Sequence, residues 1–171
     1  GRVYDVTHGN GCAAWADALL REFGGLRECL LSAHVMVAAA LDEIGAAFAE
    51  NRALFAVEKP ALIHTDLWEG NILVRQNAES WEVAAIIDGD RAYFGDPDYD
   101  FATPWMINPD FLAGYGETPA DTPARRKKLL FYRLLCCLTE AYIWPVEYQN
   151  EQAGLEKQQE VASCLREIQS M

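Results

Sequence analysis

The sequence predicts an α+β fold, mostly helical, in which two long helical regions flank one small β-hairpin. Three observations carry that expectation. Apolar residues recur at helical spacing up to about Val57 and again beyond Thr122. Between them, two β-rich runs are separated by a short stretch of turn residues. The chain has 171 residues and is 51% hydrophobic, which suits one globular unit with a sizeable core.

In the first region, Ala13 to Phe23 reads as a helix with Trp15, Leu19, Leu20 and Phe23 on one face. Gly24-Gly25 is expected to break it. Glu28 to Phe55 reads as a second helix, with Leu30, Leu31, Val35, Leu41, Ile44 and Phe48 at helical spacing. In the second region, Ala61-Leu62-Ile63 is a short apolar strand that ends at His64. Asn71 to Arg75 is β-rich, Gln76 to Ser80 is turn chemistry, and Trp81 to Ile87 returns as a strand. A hairpin of that length folds residue 88 back beside residue 71. Asp96-Pro97 then opens a short helix, with the cap residue and Pro in preferred positions. In the third region, Thr122-Pro123 is a start signal. Leu129 to Trp144 reads as a buried helix, interrupted by Pro145 before a last amphipathic helix from Val146 to Ile168. With no internal repeat and no low-complexity linker, residues 1–171 are expected to form one domain. Its segments are 1–60 (helical), 61–107 (loops and hairpin) and 108–171 (helical).

Charge bounds the function. A net charge of −12 and a pI near 4.6 argue against nucleic-acid partners and against an anionic membrane surface. From Glu82 to Asp121 nine acidic residues face one basic residue, Arg91. Such a field attracts magnesium and a cationic small molecule; a solvated acidic face is the other reading. The five cysteines show no C-x-x-C spacing and sit among apolar helical neighbours. They read as reduced core residues of a cytoplasmic protein. No apolar stretch is expected to reach the length of a membrane span, and no signal peptide is visible.

The middle region carries the chemistry. His64-Thr65-Asp66-Leu67-Trp68-Glu69-Gly70-Asn71, followed after the hairpin by Ile86-Ile87-Asp88, spaces two carboxylates and a carboxamide as phosphoryl transfer needs them. Kinases use H-x-D-x-x-x-x-N, in which the Asp orients the acceptor hydroxyl and takes its proton, and the Asn holds magnesium. A later Asp, at a strand end, binds the metal that bridges the nucleotide phosphates. Asp66, Asn71 and Asp88 fit these roles in order. The first motif alone would arise by chance about once in a hundred such chains, so the hairpin that follows it matters. The other reading is that Asp66 caps a turn, Asn71 starts a strand and Asp88 ends one.

Leu62 to Ala102 resembles the catalytic segment of the aminoglycoside phosphotransferase and choline kinase superfamily of small-molecule kinases. Their pattern runs apolar-apolar-His-x-Asp-Leu-x-x-x-Asn, then apolar-apolar-Asp, then Gly-Asp-Pro-x-x-Asp. The last element here is Gly95-Asp96-Pro97-Asp98-Tyr99-Asp100. The form Asp66-Leu67-Trp68-x-Gly70-Asn71 is most similar to the fructosamine (ketosamine) kinase branch. So are Phe111-Leu112-Ala113-Gly114-Tyr115, Arg126 and Phe131-Tyr132-Arg133-Leu134. By resemblance, Asp66 is the catalytic Asp, Asn71 and Asp88 are the magnesium ligands, and Asp100 braces the catalytic loop. His64 is structural by the same resemblance, although a metal or base role is the alternative for a lone histidine. Asp90 is placed to add an outer-shell contact. Trp68, Glu69 and Tyr93 flank the site as candidate substrate contacts; wall packing is the other reading for the two aromatics.

The resemblance implies a protein-kinase-like C-terminal lobe, with ATP as phosphoryl donor and Mg2+ as cofactor. The acceptor would be a hydroxyl of an amino sugar, an aminoglycoside or a ketosamine-like molecule. Thr65, where Gly or Asn is common, and Gly89-Asp90-Arg91, where that branch usually shows Pro, put the substrate in question more than the chemistry. Nothing in the chain resembles the N-terminal lobe that covers ATP with a flexible loop and a strand lysine. Lys59 lies directly before Pro60, outside any apolar strand. The chain is therefore expected to be the C-terminal lobe of a longer parent. The rival expectation is a non-catalytic kinase remnant that binds a metabolite or partner through the same cleft. Arg125-Arg126-Lys127-Lys128 reads as a solvated first helical turn, offset by some local acid, or as a grip for substrate or phosphate.

Overall fold

The computed structural model describes residues 11–102, 107–116 and 120–171. In chain order the elements are α1 (Trp15–Ser32), α2 (Ala38–Glu50), β1 (Ala61–Ile63), β2 (Ile72–Gln76), β3 (Trp81–Ile86), β4 (Tyr93–Gly95), α3 (Pro109–Tyr115), α4 (Pro123–Val146) and α5 (Glu151–Ser170). Short 3-10 turns link several of them. The chain gathers into two compact units: residues 12–57 join 121–171 in a helical unit, and 58–120 belong to the other. The fold is α+β and mostly helical, as expected.

In the helical unit an aromatic cluster forms the centre. Phe48 packs on Phe23, Phe55 and Phe131, with ring centroids 5.8, 5.7 and 4.7 Å away. Trp15 donates its indole N–H to the Tyr132 hydroxyl at 2.9 Å, so the polar atoms of two buried aromatics satisfy each other. The helix break falls elsewhere than expected. Gly24 and Gly25 lie inside α1, where each costs about 1 kcal/mol relative to Ala. Burial of Phe23 and Leu30 on either side outweighs that cost. The chain turns instead at Ala33–Val37, where His34 takes a left-handed φ of 56° and Val35 N–H bonds the Leu30 carbonyl.

Thr122 caps α4 by accepting from Arg125 N–H, and Pro123 occupies the first turn, as the start signal predicted. Asp121 lies 3.2 Å from Arg126 and supplies an acid beside the basic cluster. By length and composition α4 could cross a membrane, which corrects the expectation that no apolar stretch is long enough. Its Phe131, Tyr132, Leu134, Leu135, Leu138 and Ala141 are buried within the protein. Pro145 lies inside α4, in its last turn, where it interrupts the run of regular hydrogen bonds, and Asn150 caps α5. Gly154 is packed against Pro145: a Cβ there would lie 2.7 Å from the Pro145 Cδ. Gly154→Ala should therefore destabilise the helical unit. Overpacking against a rigid ring costs about 1–3 kcal/mol, against about 1 kcal/mol gained in helix propensity. A thermal midpoint equal to or above the parent's would remove this reading.

In residues 58–120, β1 pairs antiparallel with β4, and β2 pairs antiparallel with β3. The hairpin β2–β3 matches the predicted strands to within a residue or two, and Asn77 N–H closes its turn on the Ser80 carbonyl. The short strand β4 was not anticipated. Its register sets Tyr93 opposite Ile63, both buried, and Phe94 opposite Leu62, both exposed. Asp96 accepts from Asp98 N–H at 3.0 Å and starts the 3-10 turn Pro97–Ala102, as Asp96-Pro97 suggested. Phe101 then packs edge-on against Phe111 and Tyr115 of α3.

Candidate active site

Strand β1 delivers the chain to His64 from a buried Ile63. There both oxygens of one carboxylate take hold of the loop: Asp100 accepts from the backbone N–H of His64 at 3.1 Å and of Thr65 at 2.8 Å. Thr65 needs that grip, because its φ of 64° is left-handed and costly for a β-branched residue. The Thr65 hydroxyl donates to the Arg91 carbonyl at 2.9 Å. His64 reaches the hairpin, with Nε2 2.9 Å from the Ile87 carbonyl. A carbonyl only accepts, so Nε2 is the donor of this bond; Nδ1 is buried and has no hydrogen-bond partner among the described residues.

Asn71 is the other clasp. It is 5% exposed, and its side-chain N–H donates to the Asp66 carbonyl at 2.9 Å. Its backbone carbonyl accepts from Ile87 N–H at 2.9 Å. Ile87 is thus held by both of its backbone polar groups, one bond to Asn71 and one to His64. Asp88 follows it, exposed and left-handed at φ 63°. Four hydrogen bonds therefore tie the loop bearing Asp66, the buried Asn71 and the strand end bearing Asp88 into one locality. Folding residue 88 back beside residue 71 is what the hairpin length predicted.

The flanking candidates separate. Asp90 lies exposed in the 3-10 turn Gly89–Arg91, and Glu69 lies exposed at the start of the turn Glu69–Asn71. Trp68 is half-exposed and its ring covers Gly70, where any Cβ would run into it. Tyr93 departs from expectation: at 7% exposure it is core in the β1–β4 pair, so its ring offers no open platform to a substrate. One contact was not foreseen. Arg91 Nη1 lies 3.8 Å from Asp66 Oδ2, a partly exposed ion pair of modest strength. The signal was present: Arg91 is the single cation in the acidic run, three residues after Asp88. Glu117 of that run lies outside the described residues.

Metal-binding capacity rests on few donors. Among the described residues no three His, Cys, Asp or Glu side chains cluster as a metal site. The available set is the Asp88 carboxylate and the Asn71 amide oxygen, the amide nitrogen being committed to Asp66. These are hard oxygen donors, which fit magnesium, a cation that keeps several waters and takes the rest of its shell from phosphates.

Three solved structures share this fold. A gentamicin complex of APH(2″)-IIa matches with a TM-score of 0.60 at 17% identity, covering 94% of this chain and 55% of that one. The GDP complex of aminoglycoside 2′-phosphotransferase-IIIa matches at 0.51 and 19% identity, covering 87% and 52%. A candidate fructosamine-3-kinase from Thermobifida fusca YX-ER1 matches at 0.56 and 16% identity, covering 95% and 53%. The chain thus spans about half the length of each. No curated protein matches it. The model of the phosphotransferase enzyme family (APH) matches residues 12–129, which include the whole loop, hairpin and strand-end assembly. The chain belongs to the phosphotransferase enzyme family.

Proposed function

We propose that this chain is the catalytic lobe of an ATP- and magnesium-dependent kinase that phosphorylates a hydroxyl of a small molecule. The observation that carries the reading is the double clasp of Asn71, which bonds the Asp66 loop with its side chain and the Asp88 strand end with its backbone. Asp66 orients the acceptor hydroxyl and takes its proton late, as the bond to phosphorus forms. Asn71 and Asp88 would hold magnesium, which when bound neutralises charge on the donor phosphates. Asp100 and His64 keep the loop in place, and Asp90 stands near enough in sequence to steady the metal's water shell. Trp68 and Glu69, both exposed, are the residues proposed to meet the acceptor. Catalysis of this kind is mostly positioning and charge neutralisation.

The acidic surroundings favour a cationic acceptor, in keeping with an amino sugar, an aminoglycoside or a ketosamine. Because one structural neighbour is a GDP complex, GTP belongs beside ATP among the donors tested. A cytoplasmic setting, where both nucleotides are abundant, completes the proposal. The test is phosphate transfer from ATP or GTP across a panel of aminoglycosides, ketosamines, choline and homoserine, with nucleotide binding followed in parallel by calorimetry. Asp88→Ala should abolish the magnesium-dependent part of nucleotide binding. Binding that is unchanged in the variant would count against the metal assignment. Absence of magnesium-dependent binding in the parent as well would favour the non-catalytic remnant.

A further inference from the structure

The helical unit holds an open cavity of about 280 Å³ where the C-terminal ends of α2 and α5 meet the start of α4. It shares no residue with the candidate active site. Ala47 and Ile168, both buried, give it an apolar lining. Gln169 closes one side by donating to the Glu43 carboxylate at 2.7 Å, from α5 across to α2. Glu50, Asn51 and Lys127 line the rest. Charges next to these residues find partners: Arg52 pairs with Asp17, Arg27 with Asp42 at 2.7 Å and Arg126 with Asp121 at 3.2 Å. Glu50 and Lys127 do not. Among the described residues neither makes an ion pair or a hydrogen bond through its side chain, and they stand too far apart to pair with each other. Each also sits at the helix end that disfavours its charge. Glu50 is the last residue of α2, whose final turn holds no base, and Lys127 lies just past the first turn of α4, which holds no acid. The helix dipole opposes a carboxylate at a C-terminus and, more weakly at this distance, an ammonium near an N-terminus.

We propose that this cavity binds a small zwitterion, a free amino acid, with its ammonium at Glu50 and its carboxylate at Lys127. Two opposite charges without protein partners on one cavity wall match a ligand that carries both, and match neither a simple amine nor a simple acid. The ammonium brings three N–H donors. Glu50 supplies one acceptor. Asn51 and Gln169 supply two more, because their side-chain N–H groups are committed to the Ala47 carbonyl and to Glu43 while their amide oxygens remain. The ligand's carboxylate accepts from Lys127 Nζ, a charge-assisted bond stronger than a neutral one. With Glu43 and Glu50 in the wall, the single charge of a carboxylate is better tolerated than the double charge of a phosphate. Ala47 and Ile168 offer the ligand's side chain an apolar surface, which suits an aliphatic amino acid. The volume agrees, since it lies at the low end of small-molecule pockets, about 300 Å³, and so admits a molecule of a few carbons. Binding would give both misplaced helix-end charges the partners they lack. The site stands independently of the kinase reading.

The test is titration calorimetry of the intact chain with the common L-amino acids at millimolar concentrations, beside n-butylamine and butyrate as single-charge controls. At least one aliphatic amino acid should bind, with a Kd about tenfold or more below that of either control. Glu50→Gln and Lys127→Met keep the size of each side chain and remove its charge. Each should weaken binding by about tenfold or more, the loss expected for one charge-assisted bond. Neither should lower the thermal midpoint of the unliganded chain, because the charge removed has no partner there. Asp88→Ala should bind the amino acid as the parent does. Four results would each overturn the proposal: no amino acid binding to the parent at millimolar concentration, a control binding as tightly as the amino acid, either charge-removing variant binding at parental strength, or loss of binding in Asp88→Ala, which would place the ligand at the active site instead.

Discussion

Asp66→Asn is expected to cut turnover about a hundredfold or more while leaving the fold in place, if proton acceptance contributes its usual share. The amide keeps the shape of the carboxylate but cannot take the hydroxyl proton. The structural cost should be small, because the loop is held by backbone groups of residue 66 rather than by its carboxylate. The Asp66 carbonyl accepts from Asn71, and the flanking His64 and Thr65 amides are held by Asp100. The carboxylate's ion pair with Arg91, 3.8 Å long and partly exposed, contributes well under about 1 kcal/mol. Turnover should therefore fall while the thermal midpoint and the nucleotide affinity stay near the parent's. The measurement is kcat and KM for an acceptor found in the panel, beside a melting curve. A variant that turns over at the parental rate would remove Asp66 from the chemistry. A variant that loses its midpoint would show a structural residue instead.

The catalytic segment was legible because its residues obey local rules. The run Ile72 to Gln76, the turn to Ser80 and the return from Trp81 form a strand pair whatever surrounds them, and loop length alone brings residue 88 to residue 71. Asp96-Pro97 and Thr122-Pro123 were equally local, since a cap and a proline act within one helical turn. What escaped was decided at a distance. Gly24-Gly25 looked like a break, but burial of the side chains on both flanks carries α1 across it. Strand β4 is too short for a period to show, and it exists because Ile63 and Tyr93 need each other as partners. That same pairing takes Tyr93 out of any substrate surface. The Arg91–Asp66 and Arg133–Glu160 contacts join residues 25 or more positions apart, beyond any spacing rule. Thr65 lies between the two cases: its occupation of a Gly or Asn position was visible, and the left-handed backbone is the reason those residues suit it.

Asp100→Ala should be the most damaging single change in residues 58–120. Two backbone N–H groups, of His64 and Thr65, would lose their acceptor together. An orphaned, partly buried amide costs about 1–3 kcal/mol, and partial exposure to water puts each near the lower end. Thr65 would also lose what holds it at a positive φ, so the backbone should relax toward an ordinary conformation. The relaxation recovers about 1 kcal/mol of strain but moves the adjoining Asp66. The net loss is then about 1–3 kcal/mol locally, with a fall in activity at least as large as that of Asp66→Asn, because a displaced base is worth no more than an absent one. Asp100→Asn keeps one acceptor oxygen and should fall between. Hydrogen exchange separates this account from a general loss of stability. In Asp100→Ala the amides of residues 64 and 65 should exchange far faster, while those in the middle of α4 keep their protection. If the two loop amides exchange as slowly as in the parent, Asp100 is not the brace. The loop's left-handed turn would then be maintained by the Thr65–Arg91 and His64–Ile87 bonds alone.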